Sequence, residues 1–257
     1  MNNPWRWLLA ILVSTGSVTL HAAESGGAAA SDPTAAVSYQ DFRYRYFDRS
    51  RNNERHSLET EGAFMLRPRI KITNELRYVS DDSSGKSEQD FNQLKIKGIH
   101  LSEIKPFGVK AKLALGVEWL KDLGDFEEGT GTGADQIAPL AGIGWSLNDK
   151  NFVVTLVQYF HSYETDNAFD GDVRQTAPRL IWIRSLPSMG GWFKVDLKMS
   201  IDHEDDENFD QTLELQLGKM VSPKWGIYGE ILVGDDVFDS DAYNIGVGVG
   251  ARLMFGS

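Results

Sequence analysis

His161 and Ser162 stand side by side, with Asp166 and Asn167 shortly after them. An imidazole, a hydroxyl and an acid are the parts of a nucleophilic hydrolase, in which the base takes the serine proton. The stretch around them, VVTLVQYFHSY over 153–163, alternates like a β-strand. Adjacent residues on a strand point to opposite faces, so this His and this Ser do not face each other. No catalytic residue is assigned, and lipid hydrolysis at Ser162 is kept only as an alternative.

The other candidate chemistries fall to spacing. His56, His100, His161 and His203 are isolated, with no HExxH, and there is no cysteine, so no metal site and no cofactor are expected. GVGVGA at 246–251 has the letters of a dinucleotide loop but no helix follows it. GTGTGAD at 129–135 lacks the Gly-Lys-Ser/Thr of a phosphate loop. HEDDE at 203–207 gathers carboxylates that calcium uses, though such a run is more often a solvated loop.

What remains is a pattern of cations at alternate positions. Arg43 and Arg45, Lys71, Lys95 and Lys97, Lys110 and Lys112, and Lys194 and Lys198 each interleave with apolar residues. Alternation puts the charges on one face of a strand and the apolar residues on the other. Glu59, Glu61, Glu75, Glu118, Glu214 and Glu230 occupy the same kind of position and can pair with them. Taken singly, each cation is better explained by a structural cross-strand ion pair.

The elements that must carry these residues are strands. From Tyr39 to Phe255 the period of two recurs about twelve times, with no helical pattern of comparable strength. The clearest examples are the runs at 107–119, 193–201, 213–217 and 243–255. Connections alternate between short turns, such as Arg67-Pro68, 102–106, 148–150, 185–191 and 222–224, and longer polar ones. Strict alternation of short and long implies an up-and-down meander and not a Greek key.

A soluble barrel would also alternate, with its apolar face inward. Three features favour the opposite orientation. The strands have the length needed to cross a bilayer at a tilt. A barrel of that many strands is too wide to fill with side chains, so a charged interior is tolerable. Aromatics gather near strand ends, among them Tyr46, Tyr78, Trp119, Trp145, Trp182, Trp192 and Phe255. On the lipid side, lysines near mid-membrane would cost about 2–4 kcal/mol each.

The net charge of −11, from 26 Lys+Arg against 37 Asp+Glu, disfavours nucleic acid as a partner. Most of the acid lies in the long connections, leaving the strands net basic. Residues 1–22 carry one cation, Arg6, an apolar run Trp7–Val13 and a small-residue site at Ala22, which together read as an export signal. Residues 23–38 read as a flexible small-residue tail, a linker rather than a packed element, and 39–257 as one outer-membrane β-barrel domain. The expected fold is all-β, a single antiparallel transmembrane barrel of about twelve strands in the outer membrane with both termini periplasmic. Partners expected on this reading are outer-membrane lipid and lipopolysaccharide, the barrel-assembly machinery and a small solute. The final aromatic, Phe255, is followed by Gly256 and Ser257.

The segments GTGTGADQIAPLAGIGWSL, SLPSMGGWFKVDLKMSID, LELQLGKMVSPKWGIYGE and IGVGVGARLMF resemble the outer-membrane family labelled "putative MetA-pathway of phenol degradation". The similarity spans about 120–255, and its more specific parts are the Leu-Gly-Lys-Met segment and Trp192. The resemblance implies a β-barrel transporter for aromatic or other small molecules, with no catalytic residues to carry over. The function expected is passive diffusion of small solutes, aromatic or anionic, through a charged lumen lined by the cations named above. The alternative is a plugged surface barrel whose acidic loops bind cations that bridge lipopolysaccharide phosphates.

Overall fold

A computed structural model describes residues 26–49, 54–82, 87–166, 172–204, 209–234 and 243–255. The export signal expected at 1–22, Asn167 and residues 205–207 of the acidic run fall outside these residues. One short helix, α1 (Gly26–Ala30), precedes twelve strands. They are β1 (Ser38–Arg49), β2 (Glu54–Arg67), β3 (Ile70–Asp81), β4 (Glu88–Ile104), β5 (Ala111–Asp122) and β6 (Ala134–Ser146). There follow β7 (Asn151–Thr165), β8 (Arg174–Leu186), β9 (Gly191–Asp202), β10 (Phe209–Met220), β11 (Trp225–Val233) and β12 (Tyr243–Phe255).

Each strand pairs antiparallel with its sequence neighbours, and β1 pairs with β12 to close the barrel. Closure leaves no sheet edge, which is the condition for strands to sit in lipid. The connections β2–β3, β4–β5, β6–β7, β8–β9 and β10–β11 all lie at one end and have two to six residues, against four to eleven at the other. The alternation of short and long is therefore looser than the strict one the sequence suggests.

Alternation decides which face is which. Along β11 the burial reads exposed, buried, exposed without a break, with Trp225, Ile227, Ile231 and Val233 outward and Tyr228, Glu230 and Leu232 inward. Phe42, Leu58, Leu115, Val117, Val247 and Val249 stand outward on other strands, while Asp41, Glu59, Glu118, Asp196 and Glu214 are buried inside. Oily outside and ionised inside is the reverse of a water-soluble barrel. An apolar surface of that extent on a closed sheet belongs in a membrane.

Aromatics mark both ends of the outer wall. At the long-loop end Trp119 donates to the Tyr163 hydroxyl at 2.6 Å, and Tyr78 meets Phe91 edge-on. At the short-turn end Phe64 stacks on Phe255. Two expectations need correction. Trp192 is wholly buried inside the barrel and belongs to no lipid-facing belt. The fifth strand starts at Ala111, because Phe107 and Gly108 have φ of 52° and 82° and reverse the chain.

The ladder is interrupted twice on one side. The β6–β7 pairing skips Ala138–Pro139 opposite Tyr159–Phe160, and the β8–β9 pairing skips Ala177–Pro178 opposite Met199–Ser200. Proline brings no N–H to a ladder, so both gaps lie where the sequence removes a donor.

Candidate functional site

The lumen holds a cavity of about 320 Å³, and Arg43, Arg45, Lys71, Lys95, Lys97, Lys194 and Lys198 all line it. Lys112 also points inward, over the Phe152 ring at 5.9 Å. Lys110 does not join them. It precedes β5 and is exposed in the short turn, because the strand begins one residue later.

Most of these cations are held by carboxylates. Arg43 bonds Glu59 at 2.6 Å and Glu61 at 2.7 Å, and Arg45 bonds Glu230 at 2.5 Å and approaches Glu214 at 3.2 Å. Arg45 reaches from β1 to β10 because it crosses β12 over glycine. A Cβ on Gly248 would lie 2.6 Å from Glu230 and 3.1 Å from the Arg45 side chain. The glycines of the GVGVGA run are thus spacers under crowded side chains, in place of any nucleotide loop. Lys194 pairs with Glu214, Lys97 with Glu118 at 2.6 Å, and Lys95 with Glu75 at 3.4 Å.

Exposure sorts the cations into two groups. The side chains of Arg43, Arg45, Lys194 and Arg252 are at most 10% exposed and serve as cross-strand ties. Arg77, Lys95, Lys97, Arg179 and Lys198 keep 21–40% of their side chains open to the lumen. Arg179 and Arg252 carry the same inward chemistry but interleave less cleanly in sequence. Arg179 shares its face with Ile181 and Ile183, so its strand does not read as a charged one. On the same side of the lumen, Leu140, Gly142, Val154, Leu156, Phe160 and Ile181 form an apolar strip across β6 to β8. The cavity also reaches Pro178 and Met199, at one of the ladder gaps.

The segment before β1 does not trail outside. It is seated in the lumen at the short-turn end. Ala28 packs with Val154, Ile181, Ile183, Trp192 and Tyr228. Gly27 lies so close to the Trp192 ring that a Cβ there would overlap it, at 2.2 Å. Arg252 donates to the Gly27 carbonyl and the Ser31 hydroxyl, both at 2.8 Å, while its other nitrogens hold Asp41 at 2.7 and 2.8 Å. The rings of Tyr39, Trp192 and Tyr228 surround that guanidinium at 5.1–5.5 Å. On the opposite wall Lys71 donates to the carbonyls of Pro33 at 3.3 Å and Ala35 at 3.1 Å.

Asp32 folds the segment on itself by accepting from the Thr34 N–H and hydroxyl, each at 2.7 Å. Burial raises the Asp32 carboxyl above its ordinary value, against the opposing pull of Thr34, Lys112 and Lys71. The tail that reads as a linker is therefore a folded insert in the barrel.

The pair considered for hydrolysis is separated as its strand requires. Ser162 is buried and its hydroxyl accepts from the Val173 N–H at 2.9 Å, while His161 is exposed on the outer face. Among the described residues no group of His, Cys, Asp or Glu is arranged to hold a metal ion.

No family model and no curated protein matches this sequence, so the phenol-degradation label is not confirmed. Solved structures do match it in fold. The KdgM porin superposes with a TM-score of 0.57 at 10% identity, covering 84% of this chain and 99% of that one. The same porin has been solved in complex with disordered oligogalacturonate, with a TM-score of 0.56. The NanC porin gives 0.63 at 9% identity over 85% and 100% of the two chains. The COG4313 outer membrane channel from Pseudomonas putida F1 gives 0.60 at 10% identity over 85% and 95%. Closed topology, an apolar outer wall and this shared fold lead to one conclusion: the chain is a twelve-stranded β-barrel of the outer membrane.

Proposed function

We propose that the protein is a passive channel for small anionic solutes, aromatic ones included, with the short-turn end and both termini in the periplasm. The observation that carries this reading is the half-open set Arg77, Lys95, Lys97, Arg179 and Lys198 beside the apolar strip of β6 to β8. An anion with an apolar body can set its charge on one group and its body on the other. Each cation already has a carboxylate partner, so an entering anion exchanges partners and does not bind irreversibly. Sites that are attractive but not deep are what conduction needs. The oligogalacturonate seen with one porin of the same fold is in keeping with an acidic solute.

Reversal potentials in planar bilayers test this. Replacing Lys95 and Lys97 together with glutamate is expected to shift ion preference toward cations. Unchanged potentials in a conducting channel would remove these lysines from the permeation path.

The seated segment favours a second reading, a closed barrel that acts at the surface. Its acidic long loops would then hold divalent cations against lipopolysaccharide phosphates. Single-channel conductance separates the two, since a permanently closed barrel shows none.

A further inference from the structure

The β4–β5 turn breaks a local rule. Its two central residues, Phe107 and Gly108, both have positive φ, and the Val109 N–H returns to the Pro106 carbonyl at 3.0 Å. That reversal favours Asn-Gly or Asp-Gly, because a bulky residue in the left-handed region is strained. Phenylalanine occupies the strained position, and its ring is fully exposed, touching no core. A strained residue that packs against nothing in its own chain points to something outside the chain.

The ring does not stand alone. With Pro106 and Val109 it forms one side of an open groove of about 430 Å³ on the outer wall. Ile143, Trp145 and Leu147 of the adjacent β6 and its turn form the other side. Lys105 and Lys110 flank the ring in the turn, and Lys150 is exposed in the neighbouring one. Arg67, Arg69 and Lys224 are also exposed at this end, where Glu103 and Asp149 are the exposed acids nearest the groove, so the rim is basic in balance.

We propose that this groove is a binding site for an anionic phospholipid of the adjoining leaflet. One acyl chain lies between Phe107 and Trp145, and the headgroup phosphate rests between Lys105 and Lys110. Apolar seat and paired cations match the two halves of such a lipid, whereas a zwitterionic lipid brings the same phosphate with a cation of its own that offsets the gain from the lysines. Aromatic and lysine anchors at the membrane boundary set the depth and tilt of a spanning element. The strained turn therefore fixes how the barrel sits in its bilayer. The site is independent of whether the lumen conducts.

Full-length protein in phosphatidylcholine vesicles, with brominated phosphatidylglycerol added in increasing fraction, supplies the test. Bromine on the acyl chain quenches Trp145 if the chain enters the groove, and Trp145→Phe identifies that share of the signal. Saturation at low mole fraction is expected for phosphatidylglycerol, but not for brominated phosphatidylcholine. Lys105→Gln with Lys110→Gln should weaken it about thirtyfold, from the surface attraction of two lysines. Phe107→Asn suits the turn better, so it should fold at least as stably and still lose the saturable quenching, because one side of the acyl seat is gone. Equal quenching by the two lipids, or full retention in either variant, would overturn the assignment.

Discussion

At the residue scale the molecule depends most on Arg252. It neutralises buried Asp41 across the β1–β12 seam, lies among three aromatic rings and holds two oxygens of the seated segment. Arg252→Ala leaves Asp41 buried without its cation, a change that costs about 3–5 kcal/mol when a buried pair is broken. Urea unfolding in lipid vesicles, followed by heat-modifiable gel mobility, should show that loss. Arg252→Lys should recover only part of it, because an ammonium cannot make the two-pronged contact. Gly250→Ala should damage the same cluster differently. A Cβ there would lie 2.2 Å from the Tyr228 ring, which would have to leave its contact with Asp41. Such overpacking typically costs about 1–3 kcal/mol.

The charged face was readable at this scale, and its limits have physical causes. Lys95, Lys97, Lys194 and Lys198 alternate with strongly apolar neighbours, so a strand reading assigns them a face directly. Lys110 continues the same alternation past a turn that only the backbone reversal at Phe107 reveals. Trp192 reads as a belt residue because it sits at a strand end, yet it shares parity with Lys194 and Asp196. Parity outranks position here, since a one-residue step changes the face while a strand end does not.

At the scale of elements, β-strands were legible and the insert was not. A period of two recurs in most strands, less cleanly at 136–147, 151–162 and 173–184, and survives without knowledge of the neighbours. Residues 26–37 carry no period, and small residues such as Gly27 and Ala28 look like spacer. Their small size is the reason they fit. Trp192 lies against Gly27, and the partners Lys71, Trp192 and Arg252 are far away in sequence. Deleting 26–36 is expected to raise single-channel conductance without unfolding the barrel. Equal conductance before and after would show that the segment does not limit flow.

Asp32 gives the same element a dependence on pH. Its folded-state pKa is raised, so the seated form is favoured while the carboxyl is protonated. That advantage is lost as pH rises out of the ordinary carboxylate range through the raised value. Segment release should therefore increase with pH over that window in the wild type. Asp32→Asn should flatten the response, as judged by the fraction of time single channels stay open.

For the whole molecule, orientation is the governing variable. Ile231 and Glu230 are neighbours in one strand, yet one faces lipid and the other lies within the ion-pair lattice. Ile231→Arg should cost about 2–4 kcal/mol if it lies near the membrane midplane. Reversible unfolding in vesicles measures this, and a much smaller loss would mean that water reaches that face.

The position of the insert also constrains the order in which the barrel can be made. The first described residues of the chain touch Trp192, Tyr228 and Arg252, which belong to β9, β11 and β12. The seam that closes the cylinder joins β1, directly behind the insert, to β12. The insert's contacts with Trp192, Tyr228 and Arg252 therefore cannot form until the last third of the polypeptide has arrived. That segment, though early in the chain, is among the last to find all its partners.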